Sequence, residues 1–309
     1  MEYFKEFWSN TLAGSGNQYF FLNDKESEIR KGRLFYKIFK GGKYRYSLLF
    51  SNIVDSTYST GSVSHKNMVC GSWYIAGAAL GVCKECSCAE MPEAGDFIPL
   101  TFGGKADKIV QPGEFFTADA VELDIADGQY LCVEISFRGK MIPYHEESQI
   151  PAFVYQEGQW IPSKLMPFPG MIGCGRPVAG RIAFLGDSIT QGIGVEPNSY
   201  EHWNARVAEK LGADYACWNL GLGYGRADDA ASDGAWLFKA KQSDVVVICL
   251  GINDIVNGGF TEEQIKESLS AVVKKLADRG IRVLVQTLPP FEFPEAAQIK
   301  IWENVNDYI

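Results

Sequence analysis

Three short stretches carry the residue types from which an acyl-transfer site can be built. Gly186-Asp187-Ser188-Ile189-Thr190-Gln191-Gly192 offers a hydroxyl among small and polar neighbours. Asn219-Leu220-Gly221-Leu222-Gly223-Tyr224-Gly225 offers a glycine turn, and Gly251-Ile252-Asn253-Asp254 offers a carboxamide. A serine hydroxyl can attack an ester carbonyl, and N–H donors aimed at the carbonyl oxygen stabilise the oxyanion that develops. Each such donor is worth ~3 kcal/mol of barrier. Glycine suits the turn because a side chain would hold the backbone N–H away from the substrate oxygen. A serine after a strand is more commonly a polar turn or cap residue; three such stretches at successive strand ends favour the chemical reading. Asp187 and Asp254 are expected to brace their loops through backbone N–H groups.

The elements that must position these stretches alternate between strand and helix. Residues 181–185, 214–220, 244–250 and 281–287 read as strands. Residues 199–211 fit a helix with Trp203, Val207 and Leu211 on one face and Gly212 as its stop, and 226–239 fit a second. Thr261-Glu262-Glu263-Gln264 is a capping box opening a third, with Ile265, Leu269, Val272 and Leu276 inward and Gly280 at its end. Such alternation gives a parallel sheet with helices on both faces, and ligands bind such sheets at the carboxyl ends of the strands, where all three stretches fall.

The first half of the chain has a different period. Leu131, Val133, Ile135 and Phe137 alternate with Tyr130, Cys132, Glu134 and Ser136, and Val121, Leu123 and Ile125 with Glu122 and Asp124. Period two marks half-buried strands. Turns at Gly41-Gly42, Gly103-Gly104, Pro112-Gly113 and Asp127-Gly128 separate them, so an antiparallel β-sandwich is expected. Residues 139–180 read as a connection punctuated by proline and glycine, with the domain break near residue 173. The expected division is 1–172, sandwich with linker, and 173–309, the α/β domain.

Composition removes several classes of function. Of 309 residues, 46% are hydrophobic and 22% charged, and 29 Lys+Arg against 38 Asp+Glu leave a net charge of −9. An acidic globular chain is a poor partner for nucleic acid. The basic and aromatic stretch 30–46 is therefore read as a hairpin with a solvated face. No apolar run reaches the ~18 residues of a membrane span, and no secretory signal is read at the start, so a cytoplasmic location with reduced thiols is expected. Cys217 and Cys249 sit in apolar runs and read as core. Cys83, Cys86 and Cys88, with Cys70 upstream, match the two separated pairs of a structural zinc site poorly and read as a loop thiol cluster; no metal is expected. Gly221-Leu222-Gly223-Tyr224-Gly225-Arg226 has arginine where a dinucleotide fingerprint needs a small residue, and no phosphate-binding P-loop or G-x-S-x-G elbow occurs.

Gly186-Asp187-Ser188, the glycine turn and Gly251-Ile252-Asn253-Asp254, in this order and on these elements, resemble the first three blocks of the SGNH, or GDSL, hydrolase family. The segment before them, with 48–52, 101–104 and 110–113, resembles the β-sandwich that precedes the hydrolase domain in a bacterial subset. The resemblance implies a three-layer, flavodoxin-like parallel-sheet domain after a jelly-roll-like sandwich, and hydrolysis of small acyl esters such as acetyl esters, of carbohydrates among others, through an acyl-serine without cofactor. It implies Ser188 as nucleophile, with its own N–H in the oxyanion hole beside the Asn253 side-chain amide; the glycine donor stays open between Gly223 and Gly225, around Tyr224. From their position in the chain alone, Tyr224, Asn257 and the Gly258-Gly259 loop are expected to border the acyl or alcohol pocket.

One part of the family pattern is missing. A serine hydrolase needs a base for the hydroxyl proton, and the family carries it in a late Asp-x-x-His block. None of His65, His145 and His202 has Asp three residues before it. The expectation is a C-terminally shortened form of a longer enzyme. The rival expectation is a catalytically inactive carbohydrate-binding or scaffolding protein on the same fold.

Overall fold

The computed structural model describes residues 1–22, 26–55 and 66–309, together with the backbone strands Tyr58–Ser59 and Val63–Ser64. Two antiparallel sheets occupy most of the first half. In a five-stranded sheet, Gly42–Ser51 pairs with Phe115–Thr117, Val121–Ile125 and Met171–Cys174. In a seven-stranded sheet, Tyr130–Gly139 lies between Trp73–Cys83 and Arg30–Lys37. Both sheets send side chains into one core: Tyr46, Leu48 and Phe50 from the first meet Leu34, Ile75, Leu80, Leu131, Val133 and Ile135 from the second. The alternation in 130–139 therefore has its physical cause in this shared interior. Cys132, expected to face outward, is also buried, because Phe35, Cys83 and Phe153 pack over the other side of its strand.

The basic stretch 30–46 is not a hairpin. Arg30–Lys37 belongs to one sheet and Gly42–Ser51 to the other, so the chain crosses between them at 38–41. Phe35, Tyr36 and Tyr46 are buried and cannot stack on a base, while Lys31 and Arg33 pair with Glu134 and Lys43 with Glu122. Residues 139–180 also differ from the expected irregular connection. They contain strands Ile142–Tyr144, Ala152–Gln156, Gln159–Pro162 and Met171–Cys174, each paired antiparallel with another strand. The expected break at residue 173 falls inside the last of these; the next strand starts at Gly180. Between them, buried Arg176 donates to Asn10 Oδ1 at 3.1 Å, to the Tyr215 carbonyl at 2.8 Å, and to the Ala213 carbonyl.

Four parallel strands follow: Gly180–Gly186, Tyr215–Gly221, Val245–Cys249 and Arg282–Val285. Their spatial order is second, first, third, fourth. Successive residues of a strand face opposite sides. Ala183, Leu185, Val246 and Ile248 join one apolar cluster, and Phe184, Cys217 and Val247 another, so both faces are covered. The helices are α1 (Ser188–Gln191), α2 (Trp203–Leu211), α3 (Ala227–Ala231), α4 (Ala235–Ala240), α5 (Ile252–Val256), α6 (Glu262–Ala277) and α7 (Ala296–Tyr308).

Two of these helices depart from the sequence reading. In α2 the buried face is Asn204, Ala205 and Ala208, while Val207 and Leu211 are exposed. Alanines let the helix approach Phe184 and Cys217 closely, and the bulky residues turn outward. The single helix read over 226–239 is two, α3 and α4, broken where Asp233 adopts φ 59°. The capping box of α6 is present: Gln264 N–H donates to Thr261 Oγ1, and Thr261 N–H to Gln264 Oε1 at 2.9 Å. Its four inward residues are all buried.

The first 18 residues run between the two halves: Trp8–Ser9 pairs with Met171–Cys174 of the five-stranded sheet, while residues on either side of it contact the parallel half. Tyr3, Phe4 and Phe7 pack into its larger cluster. Farther on, Ser15 N–H donates to the Asn219 carbonyl at 3.0 Å, the Trp218 indole donates to Ser15 Oγ at 2.8 Å, and Asn219 Nδ2 donates to the Leu12 carbonyl at 3.1 Å.

Candidate active site

The first and third parallel strands are neighbours, and the chain leaves them on opposite sides of the sheet order, which is where doubly wound sheets bind ligands. Ser188 is the first residue of α1 and is half-buried. Its predecessor Asp187 caps the helix, accepting from Ile189 N–H at 3.0 Å. First-turn amides of a helix have no intrahelical acceptor, and neither Ser188 N–H nor Ser188 Oγ bonds a described residue.

One backbone and one side-chain hydrogen bond draw the three loops together. Leu222 N–H donates to the Gly186 carbonyl at 3.0 Å, joining the second loop to the first. Asn253 Nδ2 donates to the Gly225 carbonyl at 3.2 Å, joining the third to the second. Asn257 Nδ2 donates to Asn253 Oδ1 at 2.7 Å, which fixes the orientation of that carboxamide and leaves one of its N–H hydrogens to point elsewhere. Asn257 is exposed, so its role here is to orient Asn253 from outside.

The glycine turn resolves unevenly. Gly225 N–H donates to the Leu222 carbonyl at 3.0 Å, closing the turn, and is thus spent inside the loop. Gly223 N–H makes no bond to a described residue. Half-buried Tyr224 between them holds φ 59°, a left-handed conformation that turns the chain back. Glycine is required at Gly221, where a Cβ would stand 2.1 Å from Gln191 N, because α1 rests directly on the end of the second strand.

The two acidic residues brace the loops. Asp254 accepts from Ala227 N–H at 2.9 Å and Asp228 N–H at 3.2 Å, holding the start of α3. Burial raises its pKa to about 6 against those bonds, and raises Asp187 to about 7, with the nearby Asp254 charge adding to the shift.

Neither described histidine is available as a base. His202 is buried, its Nε2 3.0 Å from the Leu12 carbonyl and its ring against Gly192, and burial lowers its pKa. His145 is buried near Phe168, and desolvation lowers its pKa to about 3. His65 lies outside the described residues.

The first half of the chain reaches the site through residues that the sequence reading did not single out. Glu147 Oε2 accepts from Gln18 Nε2 at 2.7 Å, and Glu147 N–H donates to Gln18 Oε1 at 3.0 Å. Gln191 Nε2, one turn after Ser188, donates to the Glu147 carbonyl at 2.7 Å. A Cβ on Gly223 would stand 1.6 Å from Glu147 Oε2, so the absence of a side chain admits the carboxylate. The ion pair of Lys239 with Asp55, both fully buried, joins the same two halves. No local pattern announces such contacts, since Gln18 and Glu147 stand 129 positions apart.

Cys83, Cys132, Cys217 and Cys249 are buried, and all eight cysteines are free thiols. Among the described residues no group of three or more His, Cys, Asp or Glu could hold a metal ion, and no helix is long and apolar enough to cross a membrane.

Residues 184–308 match the model of the GDSL-like Lipase/Acylhydrolase family, so the resemblance carried by the three loops holds for this segment. No curated protein matches the chain. Among solved structures, the chain is similar to AlinE4, an SGNH-hydrolase family esterase, with 19% identity over 43% of this chain and 71% of that one and a TM-score of 0.35. It is similar to the acetyl xylan esterase AlAXEase, with 25% identity over 41% and 69% and a TM-score of 0.32. A family two carbohydrate esterase from Clostridium thermocellum, in complex with cellohexaose, is similar over 94% of this chain and 83% of its own, with 14% identity and a TM-score of 0.36.

Proposed function

We propose that the SGNH-type domain is a serine esterase acting on small acyl esters, acetyl esters among them, whose alcohol part bears hydroxyls as carbohydrates do. The observation that carries this reading is the joining of the three loops by the Leu222–Gly186 and Asn253–Gly225 bonds around a half-buried Ser188. Ser188 Oγ attacks the acyl carbon and its proton passes to a base. The carbonyl oxygen becomes an oxyanion, which accepts from Ser188 N–H, Gly223 N–H and the second Asn253 N–H. Collapse breaks the bond to the alcohol oxygen, which leaves with a proton. Water then attacks the acyl-serine, giving a carboxylic acid and regenerating the hydroxyl. Tyr224 and the Asn257–Gly259 loop flank the acyl group. Asp187 and Asp254 stay out of the chemistry and hold the loops still.

A non-catalytic, carbohydrate-binding role is the second reading, favoured by the engagement of His145 and His202 in the interior. One experiment separates the two. Hydrolysis of 4-nitrophenyl acetate is measured with and without added imidazole, in the protein and in Ser188→Ala. Ser188-dependent turnover, intrinsic or raised by imidazole as a surrogate base, is the expected result. Equal rates in the two proteins under both conditions overturn the nucleophile assignment.

A further inference from the structure

We propose that Glu147 is a specificity-determining residue of this site, accepting hydroxyl hydrogens from the alcohol part of the ester, so that the first half of the chain reads the leaving group. The inference rests on the esterase reading above and adds the wall opposite the catalytic loops.

Glu147 is fixed with unusual economy. Gln18 is fully buried and meets this residue with both ends of its carboxamide, accepting from its N–H and donating to Oε2, while its Nε2 also donates to the Gly223 carbonyl at 3.5 Å. The Glu147 carbonyl accepts from Gln191 Nε2 and from Gln149 Nε2, both at 2.7 Å, and Asn198 N–H holds the Gln149 carbonyl at 3.0 Å. Backbone and one carboxylate oxygen are thereby set. Glu147 Oε1 bonds no described residue, and no cation lies within ion-pair distance among the described residues. A carboxylate fixed in this way with one oxygen unused by described residues is a ready hydrogen-bond acceptor. The Glu147 carboxylate is held against Gly223, and the residue's backbone carbonyl against Gln191, one helical turn after Ser188, which sets the proposed acceptor beside the glycine turn.

The chemistry of the surroundings selects hydroxyls over cations. A carboxylate oxygen accepts more than one hydrogen bond, and charge-assisted bonds to hydroxyls are about twice as strong as neutral ones. Gln18, Gln191 and Ser148 are neutral polar neighbours, and Lys164 stands close enough to be affected by both Glu146 and Glu147, which weakens the field available to an ammonium group. The same negative charge disfavours anionic alcohols.

The test compares a mono-O-acetylated methyl glucoside, 4-nitrophenyl acetate and acetylcholine as substrates of the protein and of Glu147→Gln. The expected result is a fall in kcat/KM for the glucoside ester at least ~10-fold greater than for the aryl ester, seen mainly in KM. Glu147→Asp, which keeps the carboxylate, recovers part of the loss. Equal losses on both acetates would assign Glu147 to loop support alone, and a preference for acetylcholine that vanishes in Glu147→Gln would replace the hydroxyl class by a cation; either overturns the proposal. If no ester is turned over, the esterase reading is what fails. Calorimetric titration of the same glucoside into the protein and Glu147→Gln then decides: Glu147-dependent binding upholds the acceptor role, and its absence refutes it.

Discussion

The two walls of the candidate site are held in different ways. On the wall made by the parallel strand ends, bonds join loops and helix starts within the parallel half, 2 to 28 positions apart: Asp187 to Ile189, Asn253 to Gly225, Asp254 to Ala227. Each buried carboxylate there meets a backbone N–H, so these loops take shape with the sheet itself. On the wall made by 145–149 and Gln18, the contacts reach farther along the chain, 129 positions for Gln18 to Glu147 and 184 for Asp55 to Lys239. Gln191 to the Glu147 carbonyl and Lys239 to Asp55 are the bonds that hold that wall against the parallel half. The contrast teaches that the groups proposed for bond making and those proposed for substrate choice can be perturbed separately.

The largest expected effect falls on the docked wall. Lys239→Met leaves Asp55 buried without its cation and should cost about 3–5 kcal/mol in urea denaturation. Adding Asp55→Leu should regain part of that loss but not all, because Asp55 Oδ2 also accepts from Asn17 N–H at 2.7 Å. A loss under about 1 kcal/mol for Lys239→Met would mean that the second wall does not depend on this pair.

Asn253→Ala probes the first wall. Removing one oxyanion donor should lower kcat by about 100-fold with little change in KM. A rise in KM at constant kcat would assign Asn253 to substrate binding and dissolve the division of labour between the walls.

The smallest effect sharpens the electrostatic side of the comparison. Asp187, at about 7, and Asp254, at about 6, keep protons in the native state that unfolded carboxylates, near 3.8, release. Their contribution to stability is full below the unfolded value and is lost as pH rises through 6 to 7. His145, lowered to about 3, acts oppositely: its contribution is full above 6.5 and is lost as pH falls. Asp187→Asn removes a term of the first kind alone, so between pH 5 and 8 its Tm should fall by a few degrees less than that of the unaltered protein. Parallel Tm–pH curves would show that Asp187 does not titrate in this range.

What could be read from the sequence follows the same division. The three loops are legible because glycine, serine and asparagine at strand ends have local meanings, and strand–helix alternation orders them without any distant contact. The inward residues of α6 are legible because large apolar side chains mark its face. The face of α2 is not, since alanine packing looks like nothing in a hydrophobic pattern, and the crossing of 30–46 between sheets is decided by partners far along the chain. The Gly225 N–H illustrates a finer limit: glycine announces a turn, but which amide the turn consumes depends on its closure onto Leu222. Glu147 and Gln18 are ordinary polar residues until the fold sets them side by side.

The seam between residues 12–15 and the second parallel strand bears on portability. A fragment beginning at Gly180 would keep all three candidate-site loops, yet the Trp218 indole would lose Ser15 Oγ, Asn219 Nδ2 and His202 Nε2 would lose the Leu12 carbonyl, and one edge of the sheet would stand bare. The parallel half is thus no self-sufficient cassette, and a graft of it into another protein must carry the amino-terminal ribbon along or supply a substitute.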